Sequence, residues 1–192
     1  MRIISGRYKS RKIHSPAFDK TAKNKRNKKD KRKNDIRPTS DRTRETIFDI
    51  LQNFFDFADS KCLDLFAGTG SLGLECLSRG ASYCTFVDIS KNSIRLLEKT
   101  TNSFCLSENI RIIKSDCLKF LKENKEKFDI IFADPPYAYD RYNDLLKLVF
   151  LKSFKIFVLE IGEITKIEQV PENIEQIIRK IGNTFFYIFV KK

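Results

Sequence analysis

The sequence lacks the residues on which several classes of site depend. It contains one histidine, His14, so a histidine-based nucleophilic triad or a multi-histidine metal site is close to excluded. Its five cysteines are odd in number and no two have C-x-x-C spacing, which argues against a disulfide framework and a structural zinc site. We therefore predict no bound metal. No apolar run approaches the roughly 20 residues of a membrane helix, and no secretory signal is visible, so we predict a cytoplasmic protein without a membrane partner.

Positive charge is concentrated at the start of the chain. Of its 192 residues, 37 are Lys or Arg and 25 are Asp or Glu, a net charge of +12. Residues 1–44 contain 17 of the basic residues and 4 of the acidic ones, which indicates a polyanion-binding arm, most often for nucleic acid. Residues 2–14 alternate weakly around Gly6 and predict a hairpin. Residues 19–35 have no large apolar side chain, so we expect a mobile linker or an arm along a phosphate backbone.

Helix and strand signals alternate through the rest of the chain. The first helix begins near Ser40 or Asp41, and its apolar side chains lie on one face: Ile47, Ile50, Leu51 and Phe54. Strands are predicted at 62–66, 82–88, 110–114, 128–133 and 153–160, with helices at 70–78, 91–103, 117–123 and 141–150. A closing strand pair is predicted at 174–180 and 184–190. This order predicts an α/β fold with a parallel sheet covered by helices on both faces.

A glycine-rich loop follows the first predicted strand. Gly68, Gly70 and Gly73 form G-x-G-x-x-G between a strand and a helix, with Asp88 at the end of the next strand. Alone, this fits a dinucleotide-binding fingerprint. Asp64 changes the interpretation, because its carboxylate would repel a pyrophosphate and attract the ammonium group of S-adenosylmethionine.

Two further acidic positions bear on the adenosine part of that ligand. Asp88 suits the ribose hydroxyls of either kind of cofactor, so it does not discriminate between them. Asp116 follows the third strand and can accept from an adenine amino group, with Cys117 against the ring. A simple helix N-cap explains Asp116 equally well.

A second motif, DPPY at 134–137, follows a buried apolar strand. The diproline cannot continue a helix or a sheet ladder, so it holds Asp134 extended and leaves nearby carbonyls free to accept. The Asp134 carboxylate and the Pro135 carbonyl can hold the two N–H bonds of a planar exocyclic amine for in-line methyl transfer. Tyr137 would stack on the base, which must be unstacked or flipped to reach the site.

These segments resemble the bacterial RsmD-type small-subunit ribosomal RNA (guanine-N2)-methyltransferases. The resemblance rests on RIISG at 2–6, RPTSDRTRETIFDIL at 37–51, DLFAGTGSLGLE at 64–75, VD at 87–88, SD at 115–116, DPPY at 134–137 and KIGNT at 180–184. It implies a class I methyltransferase (Rossmann-like) fold, whose seven-stranded, mostly parallel sheet has an antiparallel last strand, and a basic N-terminal β-hairpin. It also implies S-adenosylmethionine as donor and a guanine of 16S rRNA, in an assembling small subunit, as acceptor. Separately, we expect the protein to be a monomer.

We assign the candidate site residues to three sets. The donor set is Asp64, Phe66, Gly68, Thr69, Gly70, Asp88, Ile89, Asp116 and Cys117. The catalytic set is Asp134, Pro135, Pro136 and Tyr137. The RNA-binding set is Arg7, Arg11, Lys12, Arg37, Thr39 and Arg42. We divide the chain into a basic N-terminal part, 1–36, and a methyltransferase domain, 37–192.

Three other functions stay open from the sequence. A DNA adenine-N6 methyltransferase is the nearest, because DPPY serves any exocyclic amine, although no separate target-recognition domain is visible. An RNA-binding assembly factor that no longer reacts could retain the same residues. A dehydrogenase fits the glycine loop but neither Asp64 nor DPPY.

Overall fold

Residues 1–15, 40–164, 167 and 169–192 are described by the structure, a computed structural model. The helices are α1 (Asp41–Leu51), α2 (Ser71–Ser78), α3 (Lys91–Phe104), α4 (Cys117–Glu123) and α5 (Tyr142–Phe150), with a 3-10 turn at Ser107–Asn109. The strands are β1 (Lys61–Leu65), β2 (Tyr83–Asp88), β3 (Ile110–Lys114), β4 (Ile130–Ala133), β5 (Ile156–Ile161), β6 (Ile174–Ile181) and β7 (Thr184–Lys191). Each helix and strand predicted from residue 40 onwards is found within a few residues of its predicted bounds.

The seven strands form one sheet in the order β3-β2-β1-β4-β5-β7-β6. Strands β1 to β5 run parallel, and β7 is antiparallel to both of its neighbours. The predicted class I methyltransferase topology, with its antiparallel last strand, is confirmed. Because β1, β2 and β4 are parallel, the loops that follow them leave the same carboxyl edge of the sheet, where open α/β sheets bind ligands.

Helices cover both faces of the sheet, as the alternating pattern predicts. Ile130 and Phe132 of β4 pack in one apolar cluster with α1, α2 and α3. Ile131 and Ala133 point the other way, into a second cluster with α4 and α5. The period-two alternation of a strand therefore divides the core into two layers.

One of the four residues predicted for the apolar face of the first helix, Phe54, lies beyond the end of that helix. Helix α1 ends at Leu51, and Gln52 is its C-cap. Phe54 lies in the turn that follows and is 44% exposed. The prediction assumed that the helix continues to Phe54, seven residues after Ile47. Because the helix ends three residues earlier, Phe54 is not on its buried face.

The N-terminal residues pack against the three helices of one face. Arg2 and Lys12 form an antiparallel bridge, and Ile3 and Ile13 are each 1% exposed within the cluster shared with α1, α2 and α3. The boundary at 36/37 and the lysine-rich segment 19–35 lie outside the described residues, so the predicted domain division stays a prediction.

Two classes of feature are absent from the part of the chain that the structure describes. No helix there has the length and apolar character needed to cross a bilayer. No group of three or more His, Cys, Asp or Glu side chains there is arranged to hold a metal ion.

Candidate active site

The glycine loop connects the end of β1 to the start of α2 through three residues with positive φ. Phe66, Gly68 and Gly70 have φ values of 57°, 56° and 78°. A positive φ at a phenylalanine is strained, and such strain is concentrated at functional sites. Asp88 at the end of β2 holds the loop, since its Oδ2 accepts from the Gly68 N–H at 2.7 Å. Its Oδ1 accepts from the Ser90 N–H, also at 2.7 Å.

The glycines of this loop serve different purposes. A Cβ at Gly73 would lie 2.4 Å from Cε1 of Phe86 and 2.6 Å from Sγ of Cys84, so glycine there lets α2 pack closely on β2. A Cβ at Gly68 would meet nothing nearer than the Phe66 carbonyl oxygen at 3.8 Å. Space beside Gly68 is therefore open, as the backbone approach of a ligand to a helix N-terminus requires.

Asp64 is buried directly beneath this loop. Its side chain is on β1, the residue is 2% exposed, and Oδ2 accepts from the Gly73 N–H at 2.9 Å. Burial raises the pKa of Asp64 well above its usual range, and the nearby Asp134 and Asp88 carboxylates raise it further. A cation bound against Asp64 would offset both effects.

The DPPY loop leaves the sheet from the adjacent strand, β4. Pro135 is buried, Asp134 is half-buried, and the Tyr139 N–H closes the turn on the Pro136 carbonyl at 2.8 Å. Tyr137 is 66% exposed. Its ring lies against the backbone of Gly162, where a Cβ would be 2.3 Å from Cε1 of Tyr137. The diproline thus places a supported aromatic ring at the surface.

Aromatic contacts connect the glycine loop to the DPPY loop. The ring centroids of Phe66 and Tyr139 are 5.0 Å apart, and those of Tyr139 and Tyr142 are 5.2 Å apart. Sγ of Cys117 lies 3.9 Å from the Tyr139 hydroxyl. The first turn of α4 therefore meets both loops at one point of the carboxyl edge.

The titratable groups of this cluster stay protonated near neutral pH. Burial raises the pKa of Cys117 to about 11. Burial also raises the pKa of Tyr139, as do the neighbouring Cys117 and Asp116. The pKa of Tyr142 is raised by burial and by the charge of Asp134.

The remaining donor candidates lie at the same edge. Asp116 begins α4, and its Oδ1 accepts from the Lys119 N–H at 3.0 Å. The N-cap role that the sequence left open is thus present in the structure. Ile89 is exposed immediately after β2, and Thr69 is buried in the glycine loop. Asp64 and Asp88 lie within the last two residues of β1 and β2, and the other seven predicted donor residues follow β1, β2 or β3.

The structure places two of the described RNA-binding candidates, Arg7 and Arg11, away from the catalytic loops. Arg7, Arg11, Lys12 and Arg42 are exposed. The Arg7 N–H donates to the carbonyl of Ser78 at the end of α2, and the Arg11 guanidinium donates to that of Ser103 near the end of α3. These helix ends lie away from the carboxyl edge. Arg37 and Thr39 lie outside the described residues.

Sequence reasoning missed several residues at this edge. Tyr139 and Tyr142 form the aromatic cluster, and the spacing of YAYDRY at 137–142 is a signal that could have found them. Gly162 supports Tyr137, and Glu160 is buried near the end of β5. No local pattern identifies the role of Gly162, because its contact is with a loop 25 residues earlier in the chain.

Known proteins match this chain in both sequence and structure. The family model "Conserved hypothetical protein 95" matches residues 1–191. The "Ribosomal RNA small subunit methyltransferase D" of Haemophilus influenzae is 35% identical over 152 residues, which cover 78% of this chain and 70% of the relative. The protein of the same name from Buchnera aphidicola subsp. Acyrthosiphon pisum is 39% identical over 136 residues, covering 70% of this chain and 62% of the relative.

A solved structure extends the match along the whole chain. The Escherichia coli protein yhhF, described as a methyltransferase, is 26% identical with a TM-score of 0.80, covering 100% of this chain and 98% of that one. The family predicted from the sequence motifs is thereby confirmed. This chain belongs to the Conserved hypothetical protein 95 family of RsmD-type methyltransferases and has the class I methyltransferase fold.

Proposed function

We propose that this methyltransferase transfers the methyl group of S-adenosylmethionine to the exocyclic N2 of a guanine in 16S ribosomal RNA, within an assembling small subunit. The observation that carries the proposal is the contact between Phe66 of the glycine loop and Tyr139 behind the DPPY loop. It brings a loop suited to the methyl donor beside a loop suited to a planar amine. The names of the relatives support small-subunit ribosomal RNA as the substrate.

The residues present fit the methyl donor. The raised pKa of buried Asp64 reflects an acidic group with too little compensating positive charge, and the ammonium group of the donor's methionine part supplies that charge. The open space beside Gly68 admits a ligand close to the backbone. When bound, S-adenosylmethionine supplies an activated methyl group on a sulfonium centre.

The DPPY loop fits the acceptor amine. The lone pair of a guanine amino group is delocalised into the ring, so the amine is a weak nucleophile and must be positioned. The Asp134 carboxylate and the Pro135 carbonyl accept its two N–H bonds and hold it in line for displacement. Tyr137, supported by Gly162 and exposed on its other face, stacks on the base, a contact worth about 1–3 kcal/mol.

Proton transfer follows methylation rather than preceding it. The methylated amine is cationic and loses a proton to the Asp134 carboxylate or to water. Cys117, Tyr139 and Tyr142 have raised pKa values, so they hold their protons and do not accept one near neutral pH. The site therefore depends on orientation and on one acceptor carboxylate, without a separate base.

The positive charge of the N-terminal part supports the proposal that the substrate is a polyanion. Arg7, Arg11 and Lys12 of this part and Arg42 of α1 are exposed, and exposed cations bind phosphate backbones by releasing counterions. The protein would act as a monomer in the cytoplasm, with the hairpin side contacting RNA at a distance from the reacting guanine.

The experiment that tests this proposal is methyl transfer from labelled S-adenosylmethionine to small subunits from bacterial cells that lack the family's enzyme, followed by nucleoside analysis. We expect label in N2-methylguanosine. Label in N6-methyladenosine would instead support adenine as the target base. No label, with donor binding intact by calorimetry, would favour the non-catalytic assembly factor.

Asp134→Ala separates the acceptor role from the donor role. We expect turnover to fall by about 100-fold or more, because an oriented hydrogen bond to the reacting amine is lost. Donor affinity by calorimetry should change by less than about threefold, since the side chain faces the acceptor. Asp140→Ala, an exposed acid in the same loop, is the matched control and should retain full turnover. A comparable loss of donor affinity in Asp134→Ala would contradict the assignment.

A further inference from the structure

Glu160 is a buried acidic residue beside the DPPY loop that the proposed reaction does not yet use. It is 8% exposed near the end of β5, an otherwise apolar strand of sequence IFVLEI. In the parallel pairing of β4 with β5, Ala133 is opposite Leu159. One step further along both strands brings Asp134 opposite Glu160, at the carboxyl edge where the acceptor base must enter.

The strand alternation gives the direction of the Glu160 side chain. Ile156 and Val158 pack in the cluster on the α1–α3 face, and so does Phe186, the partner of Glu160 on β7. Glu160 is two residues beyond Val158, so its carboxylate is on that same face. Asp64, two residues beyond Cys62 of that cluster, is on this face as well. The acceptor and donor carboxylates thus share one side of the sheet edge.

The aromatic ring proposed to stack on the base, that of Tyr137, contacts the chain just after β5, close to Glu160. Tyr137 lies against Gly162, two residues after Glu160. A base that stacks on the exposed side of Tyr137 and offers its amine to Asp134 lies along the end of β5. The edge of the base beside the amine then faces Glu160.

We propose that Glu160 determines specificity for guanine by accepting a hydrogen bond from its N1–H, and this rests on the proposed function. Guanine carries two adjacent donors, N1–H and the N2 amine, which match two adjacent acceptor carboxylates, Glu160 and Asp134. Adenine presents a lone pair at N1 beside its N6 amine, and a carboxylate repels that lone pair. A site built to bond a substrate N–H strongly rejects an analogue that lacks it.

The test compares guanosine with 2-aminopurine at the target nucleotide of reconstituted small subunits. 2-Aminopurine retains the exocyclic N2 amine but has a lone pair at N1. We expect the wild-type protein to prefer guanosine by about 100-fold or more in kcat/KM. Glu160→Gln should lower guanosine turnover but reduce the preference below about tenfold, because the amide N–H can donate to N1 of 2-aminopurine. Its affinity for S-adenosylmethionine should be unchanged.

Controls keep the two proposals distinguishable. Glu175→Gln removes an exposed charge on β6 and should leave the base preference as in the wild type. An equal loss on both RNAs in Glu160→Gln would indicate a structural role and overturn the inference. If that variant does not fold, equal turnover of both RNAs by the wild-type protein overturns it. Failure of the wild-type protein to methylate guanosine would overturn the proposed function as well.

Discussion

At the scale of single residues, Asp64 shows a conflict between stability and ligand binding. Its carboxyl group accepts the Gly73 N–H inside the protein, and burial raises its pKa well above the usual range. In the unfolded chain the same group ionises near pH about 3.9. Above that pH the unfolded state has lost a proton that the folded state retains, so stability falls with rising pH until the folded pKa is passed.

Asp64→Asn should therefore stabilise the protein without its ligand while weakening donor binding. The amide oxygen still accepts from Gly73, and no charge needs to be buried. We expect Tm at neutral pH to rise by about 2 °C or more and donor affinity to fall by at least about tenfold, because a charge-assisted contact is lost. Thermal unfolding and calorimetry measure the two effects. A variant that is both less stable and unchanged in affinity would contradict this account.

The pH dependence of donor binding follows from the same pKa. Binding an ammonium group requires the ionised form of Asp64, so the wild-type protein should release protons as the donor binds, and its affinity should rise with pH up to the folded pKa. The affinity should fall again at higher pH, where the donor's own amino group loses its proton, near pH about 8. In Asp64→Asn this proton release should disappear, as calorimetry in two buffers of different ionisation enthalpy would show.

The loop glycines allow stability to be separated from ligand approach. Gly73→Ala forces a methyl group against Phe86 and Cys84 and should cost about 1–3 kcal/mol of unfolding free energy. Gly68→Ala has room for the methyl group but keeps a positive φ, a strain of about 1–2 kcal/mol. We expect Gly68→Ala to lose most of its donor affinity, whereas folded Gly73→Ala retains it. Denaturant unfolding and donor titration of both variants measure these effects. Loss of donor affinity in Gly73→Ala, with full affinity in Gly68→Ala, would contradict the prediction.

At the scale of elements, two residues of α2 hold the N-terminal hairpin: Glu75, and Ser78, whose Oγ accepts from the Tyr8 N–H at 2.9 Å. Glu75 is fully buried, and its two oxygens accept from the Ile4 N–H at 2.8 Å and the Ser5 N–H at 3.0 Å. Gly6 lies so close to α2 that a Cβ would be 1.8 Å from the Ser78 carbonyl oxygen. The hairpin backbone thus completes its hydrogen bonds against a helix rather than against a strand.

Glu75→Gln should loosen the hairpin and lower stability. One amide N–H group would face a backbone donor, and the buried Arg44 guanidinium would lose a nearby negative charge. We expect the unfolding free energy to fall by about 2 kcal/mol, with faster trypsin cleavage within residues 1–15. Glu98→Gln, an exposed acid on α3, is the control. Unchanged unfolding and unchanged cleavage would mean that apolar contacts of Ile3 and Ile13 hold the hairpin alone.

The order of elements could be predicted from the sequence, whereas their contacts could not. Strands such as β4 are local apolar runs bounded by turn residues, so their positions follow from sequence periodicity. The hairpin's attachment depends on Glu75, about 70 residues away, and no local pattern indicates it. The same holds for the support of Tyr137 by Gly162. Motif residues therefore predict candidate site positions, whereas the contacts between distant loops have no local signal in the sequence.

At the scale of the whole molecule, the charges of Arg7 and Arg11 lie away from the reacting edge. The guanidinium of Arg11 is 4.3 Å from the Phe104 ring centroid, and that of Arg7 is 5.5 Å from the Tyr8 centroid. Stacked arginines keep their charge exposed while their position is fixed. An RNA bound at the hairpin and at DPPY must therefore span the helical face, which suits a large folded substrate better than a short strand.

Salt dependence of RNA binding tests the contribution of this surface. We expect the triple variant Arg7→Gln, Arg11→Gln and Lys12→Gln to bind small subunits more weakly and to reduce the slope of log affinity against log salt by about 2–3. Deleting residues 19–35, which lie outside the described part of the chain, should flatten the slope further if that segment follows a phosphate backbone.

The matched control replaces Lys122, Lys125 and Lys127 with Gln. These exposed lysines lie at the end of α4 and in the loop that follows it, on the other face of the sheet, so the control removes the same charge without touching the hairpin. Its salt slope should equal that of the wild type, because lost net charge alone does not remove a phosphate contact. Equal slopes for both triple variants would mean that the excess charge acts only as a long-range field, and that phosphate contacts lie elsewhere in the chain.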